Sequence, residues 1–218
     1  MQGYVPRYHR VYLLDDHDIV RRGLRDLLVR ATDIDVVGDS GTVPGAAEEI
    51  LRREADVMLL DLQLQDGSGI EVCRAVRSVR PKVSGLLLTA AGDAEASAAA
   101  VLAGAAGYLV KVTRNSDIVG SIRSLRPGRS LLDAHGVQRA AVLLRSVVES
   151  LHPQVTEDER RILEHVLEGK TDSEILEGWD TSDGRPEPNI VAFTARMTEA
   201  LLRPSPGERG TGRHRRSG

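Results

Sequence analysis

Five residues stand where apolar runs of this chain break off, and their types suit the binding of a cation and an oxyanion. Val57-Met58-Leu59-Leu60 ends in Asp61, and Val11-Tyr12-Leu13-Leu14 ends in Asp15-Asp16. Gly85-Leu86-Leu87-Leu88 ends in Thr89, and Ala106-Gly107-Tyr108-Leu109-Val110 ends in Lys111. Three carboxylates brought together repel and raise one another's pKa values. A hard divalent cation relieves that repulsion, and Mg²⁺ favours one or two carboxylates, a carbonyl and retained waters. A Lys and a Thr beside such a cluster suit a phosphoryl group, the first as a point charge and the second as a hydrogen-bond partner.

This chemistry requires elements that carry all five residues to one edge. Short, unbroken apolar runs read as strands covered on both faces, the pattern of a parallel sheet. Asp66-Gly67-Ser68-Gly69 supplies turn chemistry after the third such run. Helical periodicity falls at 17–30, 44–53, 70–79, 94–102 and 116–125, with Val36-Val37 as a short second strand and Pro81 closing the third helix. Five strands alternating with five helices predict an α/β, flavodoxin-like, doubly wound parallel sheet of order 2-1-3-4-5. In such a sheet chemistry gathers in the crevice at the carboxyl ends of the strands.

The set of residues resembles the receiver domain of two-component response regulators across roughly residues 8–130. An acidic pair follows strand one, an Asp strand three, a Thr strand four and a Lys strand five, in the family's order and spacing. The resemblance implies that Asp61 is the phosphoacceptor, phosphorylated by a sensor histidine kinase. It implies that Asp16 and Asp61 ligate Mg²⁺ with the backbone carbonyl of Gln63, Asp15 acting through water. Lys111 would pair with the phosphoryl oxygens, and Thr89 would swing toward them and let Tyr108 move inward. Two residues depart from the pattern. Gln65 stands where the family usually has Pro, and Val112 follows Lys111 where many members have Pro, often in a cis bond.

At 218 residues the chain suits two modest domains. Its 41% apolar content supplies a core, and with 3% aromatic residues that core is built of Leu, Val, Ile and Ala. Cys73 is the single cysteine, expected as a small buried hydrophobe, and a chain without an internal disulfide fits the cytoplasm. Residues 1–10 lack the apolar centre of a signal peptide, and no run approaches membrane-span length. The six His show no metal-ligand spacing.

Beyond Pro127-Gly128, residues 129–152 carry a helical stripe at 137–151, read evenly as a helix packed on its own receiver or as a linker that docks a second domain or dimerises. Thr156 with Glu159 has capping-box spacing, Gly169 marks a stop, and Thr171 with Glu174 repeats the box. This small all-α segment at 153–202 resembles the LuxR-type helix-turn-helix. With the receiver at 8–128 it is similar to the NarL/FixJ family of DNA-binding transcriptional regulators, which implies DNA as a partner and a homodimer on activation. The resemblance makes 189–202 the recognition helix, with Asn189, Val191, Ala192 and Arg196 toward DNA.

Departures accumulate here. The connection Gly178 to Pro188 is longer than the family's turn, and the family's groove-facing basic and polar positions are Val191 and Ala192. A fourth helix is lacking, and 203–218 reads as a disordered basic tail. Residues 151–202 hold twelve acidic and five basic side chains, a net charge of −7, while the tail carries +4. DNA affinity rests on neutralised phosphates. The alternative is therefore a phosphorylation-gated protein-interaction regulator that no longer reads DNA. No catalytic constellation occurs in 130–218, so the expectation is a non-enzyme with at most self-dephosphorylation.

Overall fold

The computed structural model describes residues 9–90, 93–111, 117–126, 129–182 and 187–203. Val112, Pro127-Gly128, the tail beyond Arg203 and part of the Gly178–Pro188 connection lie outside them.

The first half builds the expected sheet. Strands β1 (His9–Leu14), β2 (Ile34–Ser40) and β3 (Val57–Asp61) are followed by a small antiparallel pair, β4 (Gln63–Leu64) and β5 (Gly67–Ser68), and then by β6 (Ser84–Thr89) and β7 (Gly107–Val110). The five-stranded sheet has the order β2-β1-β3-β6-β7 and every pairing in it is parallel. Counting only its five members, this is the order 2-1-3-4-5. β3 and β6 are buried along their whole length, as their unbroken apolar runs require. The edge strand β2 is longer than Val36-Val37. Asp35 and Asp39 alternate outward there, so its apolar signal was diluted.

Successive side chains of a strand point to opposite faces, which sorts the core into two layers. Tyr12, Leu14, Met58, Leu60 and Leu87 meet Ile50 of α2 (Ala46–Arg52), Val72 and Val76 of α3 (Gly69–Val79), and Ala98 and Leu102 of α4 (Asp93–Ala103). Val11, Leu13, Val57, Leu59, Leu86 and Leu88 meet Leu24 and Leu28 of α1 (Asp18–Val29) and Ile122 of α5 (Ile118–Ser124). Each fully buried Leu or Val contributes about 1.5–3 kcal/mol, so these layers dominate the sheet's stability.

α4 has a second layer on its far side. Ala96, Ala98, Ala99, Ala100 and Leu102 are all fully buried, because α6 (Ala134–Ser150) lies across the helix. Small side chains let a helix be packed on both sides. The segment therefore packs on the receiver and on the C-terminal helices at once. Ala140, Leu144, Val147 and Val148 of α6 join one continuous apolar cluster that also takes in Ile162, Phe193 and Met197 of the C-terminal helices.

Those helices are α7 (Glu157–Leu167), α8 (Asp172–Glu177) and α9 (Ile190–Leu201). Both capping boxes form as expected, Thr156 with Glu159 and Thr171 with Glu174. Gly169 sits at φ +81°, the left-handed conformation that ends α7. Among the described residues no helix is long and apolar enough to cross a membrane.

Candidate functional site

β1 and β3 run side by side and β6 and β7 follow, so their carboxyl ends share one edge. Lys111 Nζ lies 2.5 Å from Asp61 Oδ2 and 2.8 Å from Asp15 Oδ2. Its backbone N–H donates to the Thr89 carbonyl at 2.8 Å, which fixes where the side chain leaves the sheet. Asp15 is fully buried and Asp61 nearly so. Thr89 is buried at the end of β6, and Tyr108 is half-buried on β7, paired with Leu87 and packed against the α4 side of the core.

Asp16 accepts from the Gln65 N–H at 3.1 Å, so the loop after β3 is tied across to the end of β1. The Gln63 N–H donates to Asp61 Oδ1 at 3.3 Å. That loop is short because α3 starts directly against the end of β3. A Cβ on Gly69 would stand 2.3 Å from the Asp61 carbonyl oxygen and 2.9 Å from the Leu60 Cβ, so no larger residue fits. Ser68 caps α3 in a capping box with Glu71.

Burial pushes the Asp61 carboxyl up from its ordinary value, and the charge of Asp15 adds to the rise, while Lys111 opposes both. Burial works to lower the Lys111 ammonium, but its hydrogen bonds to Asp15 and Asp61 outweigh that and hold it above the usual lysine range.

The donor set fits a divalent cation. Asp15, Asp16, His17 and Asp61 each offer an atom, all within 4.8 Å of one another. Asp15 Oδ2 and Asp16 Oδ1 are both shielded from solvent, and Asp15 Oδ2 is held by Lys111 Nζ at 2.8 Å. His17 is the member the sequence reading missed. Its Nδ1 lies 2.7 Å from Asp16 Oδ1, and adjacency to Asp15-Asp16 was the one available signal. Arg21, also missed, donates to the Asp15 carbonyl at 2.6 Å.

The residues expected to face DNA are not gathered into a cationic surface. The Asn189 side chain caps α9 by accepting from the Ala192 N–H at 2.9 Å. Val191 and Ala192 are exposed. Arg196 is tied to Glu159 and donates to the Gln154 carbonyl at 3.1 Å. Next to these positions on α9, Thr194 and Thr198 are buried. Thr194 lines both a cavity of about 280 Å³ shared with Val43, Val72 and Arg74 and one of about 540 Å³ shared with Leu64, Asp66 and Ser68. The helix thus turns this face toward α2, α3 and the β4–β5 hairpin.

Residues 11–123 match the family described as the response regulator receiver domain. The chain is 39% identical over 170 residues to the DNA-binding transcriptional activator DevR/DosR of Mycobacterium tuberculosis, covering 77% of this chain and 78% of that one. It is 32% identical over 174 residues to the transcriptional regulatory protein LiaR of Bacillus subtilis, covering 77% and 81%. The crystal structure of a LuxR-family two-component response regulator from Aurantimonas sp. superposes with a TM-score of 0.54 at 29% identity, over 62% of this chain and 97% of that one. With a receiver match over more than half its length and these relatives over three quarters of it, the chain belongs to the response regulator family.

Proposed function

We propose that Asp61 is the phosphoacceptor of a two-component system and that its phosphorylation controls a DNA-binding transcriptional regulator. The observation that carries this reading is the convergence of Asp61, Asp15 and Lys111 on one buried edge, with the ammonium 2.5 Å from the Asp61 oxygen. An Asp61 carboxylate oxygen attacks the phosphorus of a kinase phosphohistidine. The P–N bond breaks, and the imidazole leaves with the electron pair and takes up a proton. Lys111, already held between two carboxylates, pairs with the phosphoryl oxygens as charge builds on them. Asp16, Asp61 and the Gln63 carbonyl would hold Mg²⁺, with Asp15 acting through water, and the ion when bound would neutralise charge on the phosphoryl group. Thr89 and Tyr108 would relay the event. Self-dephosphorylation is the only catalysis this reading includes.

The segments divide accordingly into a receiver at 8–128, a connecting helix within 129–152, an output region at 153–202 and a basic tail at 203–218. The M. tuberculosis relative is a DNA-binding activator, which favours the same role here. In the described conformation the Thr194–Thr198 face of α9 is turned to the receiver, so DNA binding requires α9 to be released, and release would also free it to act as a homodimer. One observation favours the second reading, a protein-interaction output. Arg196, the one cation within α9, is spent on Glu159 in a segment of net charge −7. Fluorescence anisotropy of labelled upstream DNA, with and without acetyl phosphate across a salt series, separates the two. Phosphorylation-enhanced binding with a steep salt slope supports the DNA reading. Flat anisotropy down to low salt rejects it in favour of a protein partner.

A further inference from the structure

We propose that His17 is a nitrogen ligand of the acidic cluster, so that the site favours borderline divalent transition ions over Mg²⁺ by more than its carboxylates alone would. This rests on the reading of Asp15, Asp16 and Asp61 as a metal site. His17 stands at the N-terminus of α1, and its own N–H donates to Asp15 Oδ1 at 2.8 Å, which turns the residue back over the cluster. Its Nδ1 lies 2.7 Å from Asp16 Oδ1, 3.4 Å from Asp15 Oδ1 and 3.9 Å from Asp61 Oδ2. Ligand atoms bound at about 2.1 Å from one ion stand roughly 3 Å apart when adjacent in an octahedron and roughly 4.2 Å apart when opposite. The separations from Asp16 Oδ1 and Asp61 Oδ2, the two direct carboxylate ligands, fall close to these two values. Nδ1 therefore has the spacing of a coordination shell, not only that of a single hydrogen bond to Asp16.

One further fact points the same way. The His17 side chain makes no capping hydrogen bond to α1, so holding the helix does not account for its position. Imidazole suits Ni²⁺, Zn²⁺ and related ions, whereas Mg²⁺ keeps to oxygen ligands and water. A nitrogen at this place raises affinity for the first group and leaves the second unchanged.

The test uses the full-length protein and His17→Ala. The ring is largely exposed and caps nothing, so the variant should fold, which far-UV circular dichroism checks. Calorimetry with Ni²⁺ and with Mg²⁺ should show Ni²⁺ binding weakened at least about tenfold in His17→Ala, the scale on which metal sites lose affinity when even an outer partner is removed. Mg²⁺ binding should stay unchanged. Pulsed electron paramagnetic resonance with Mn²⁺ should show a directly bound nitrogen in the wild type that His17→Ala lacks. Unchanged affinities for both ions in His17→Ala would overturn the role of His17 while leaving the acidic site standing, as would equal weakening of both. Failure of the wild-type protein to bind either ion would overturn the metal site itself, and this inference with it.

Discussion

Arg74 of α3 and Asp172 at the start of α8, 98 positions apart, form a largely buried ion pair that joins the receiver to the C-terminal helices. Arg74 Nε donates to Asp172 Oδ1 at 2.8 Å and Nη2 donates to the same oxygen, while Nη1 donates to the Leu102 carbonyl of α4 at 2.8 Å. The Ser173 hydroxyl adds a bond to the Ser78 carbonyl at 2.8 Å. α3 begins at Gly69, against the Asp61 carbonyl, so one helix connects Asp61 to this contact.

Arg74→Ala leaves Asp172 without its partner, and removal of one member of such a pair costs about 3 kcal/mol. Urea unfolding should show that loss. The Arg74→Met, Asp172→Leu double variant should lose less than the sum of the single variants, because neither charge is then stranded. If closure restrains α9, the double variant binds upstream DNA without acetyl phosphate.

Asp61→Asn should abolish phosphoryl uptake from acetyl phosphate, read on phosphate-affinity gels. It should also stabilise the fold in a pH-dependent way. The folded-state pKa of Asp61 is raised by burial, so its contribution is favourable at low pH and is lost as pH rises through that raised value. The variant therefore gains over the wild type with rising pH and converges with it in acid. Urea midpoints at pH 4, 5.5 and 7.5 measure the trend; a gap that narrows toward pH 7.5 contradicts it.

Lys111→Met removes the cation that opposes the rise of the Asp61 pKa. The Asp61 carboxyl should then titrate at a higher pH than in the wild type, as followed by ¹³C NMR of the carboxyl carbons.

Gly69→Ala places a methyl 2.3 Å from the Asp61 carbonyl oxygen, which is backbone and cannot swing aside. The start of α3 must shift, at a cost of about 1–3 kcal/mol typical of overpacking. Thermal melts should show the loss, and phosphoryl uptake should slow because the loop holding Gln63 and Gln65 moves too.

Local features were legible without the fold. The strand ends at Asp15, Asp61, Thr89 and Lys111, the capping boxes at Thr156 and Thr171, and the stop at Gly169 each depend on a few neighbouring residues. Apolar runs and capping spacings act over less than about ten residues, so they survive in a linear reading. That the five strands run parallel followed from their alternation with helices, since parallel strands need helical crossovers. β2 was underestimated for the same local reason, its edge position mixing Asp35 and Asp39 into the apolar pattern.

Everything that joins distant segments was decided by packing. Whether α6 covered the receiver or docked the output helices had no local answer, because its apolar stripe suits either surface. Only the assembled chain shows it doing both. Arg196 read as a cation free for DNA, yet it bonds to Glu159, 37 residues away, whose other oxygen already serves the α7 cap. His17 was one of six unremarkable histidines until the turn after β1 set its ring over Asp16 and Asp61. The elements and the edge that gathers Asp15, Asp61 and Lys111 were readable in advance, because those rest on residue types at strand ends. The tertiary structure alone decided which charges pair and which face of α9 is covered, because long-range burial selects partners that no local pattern encodes.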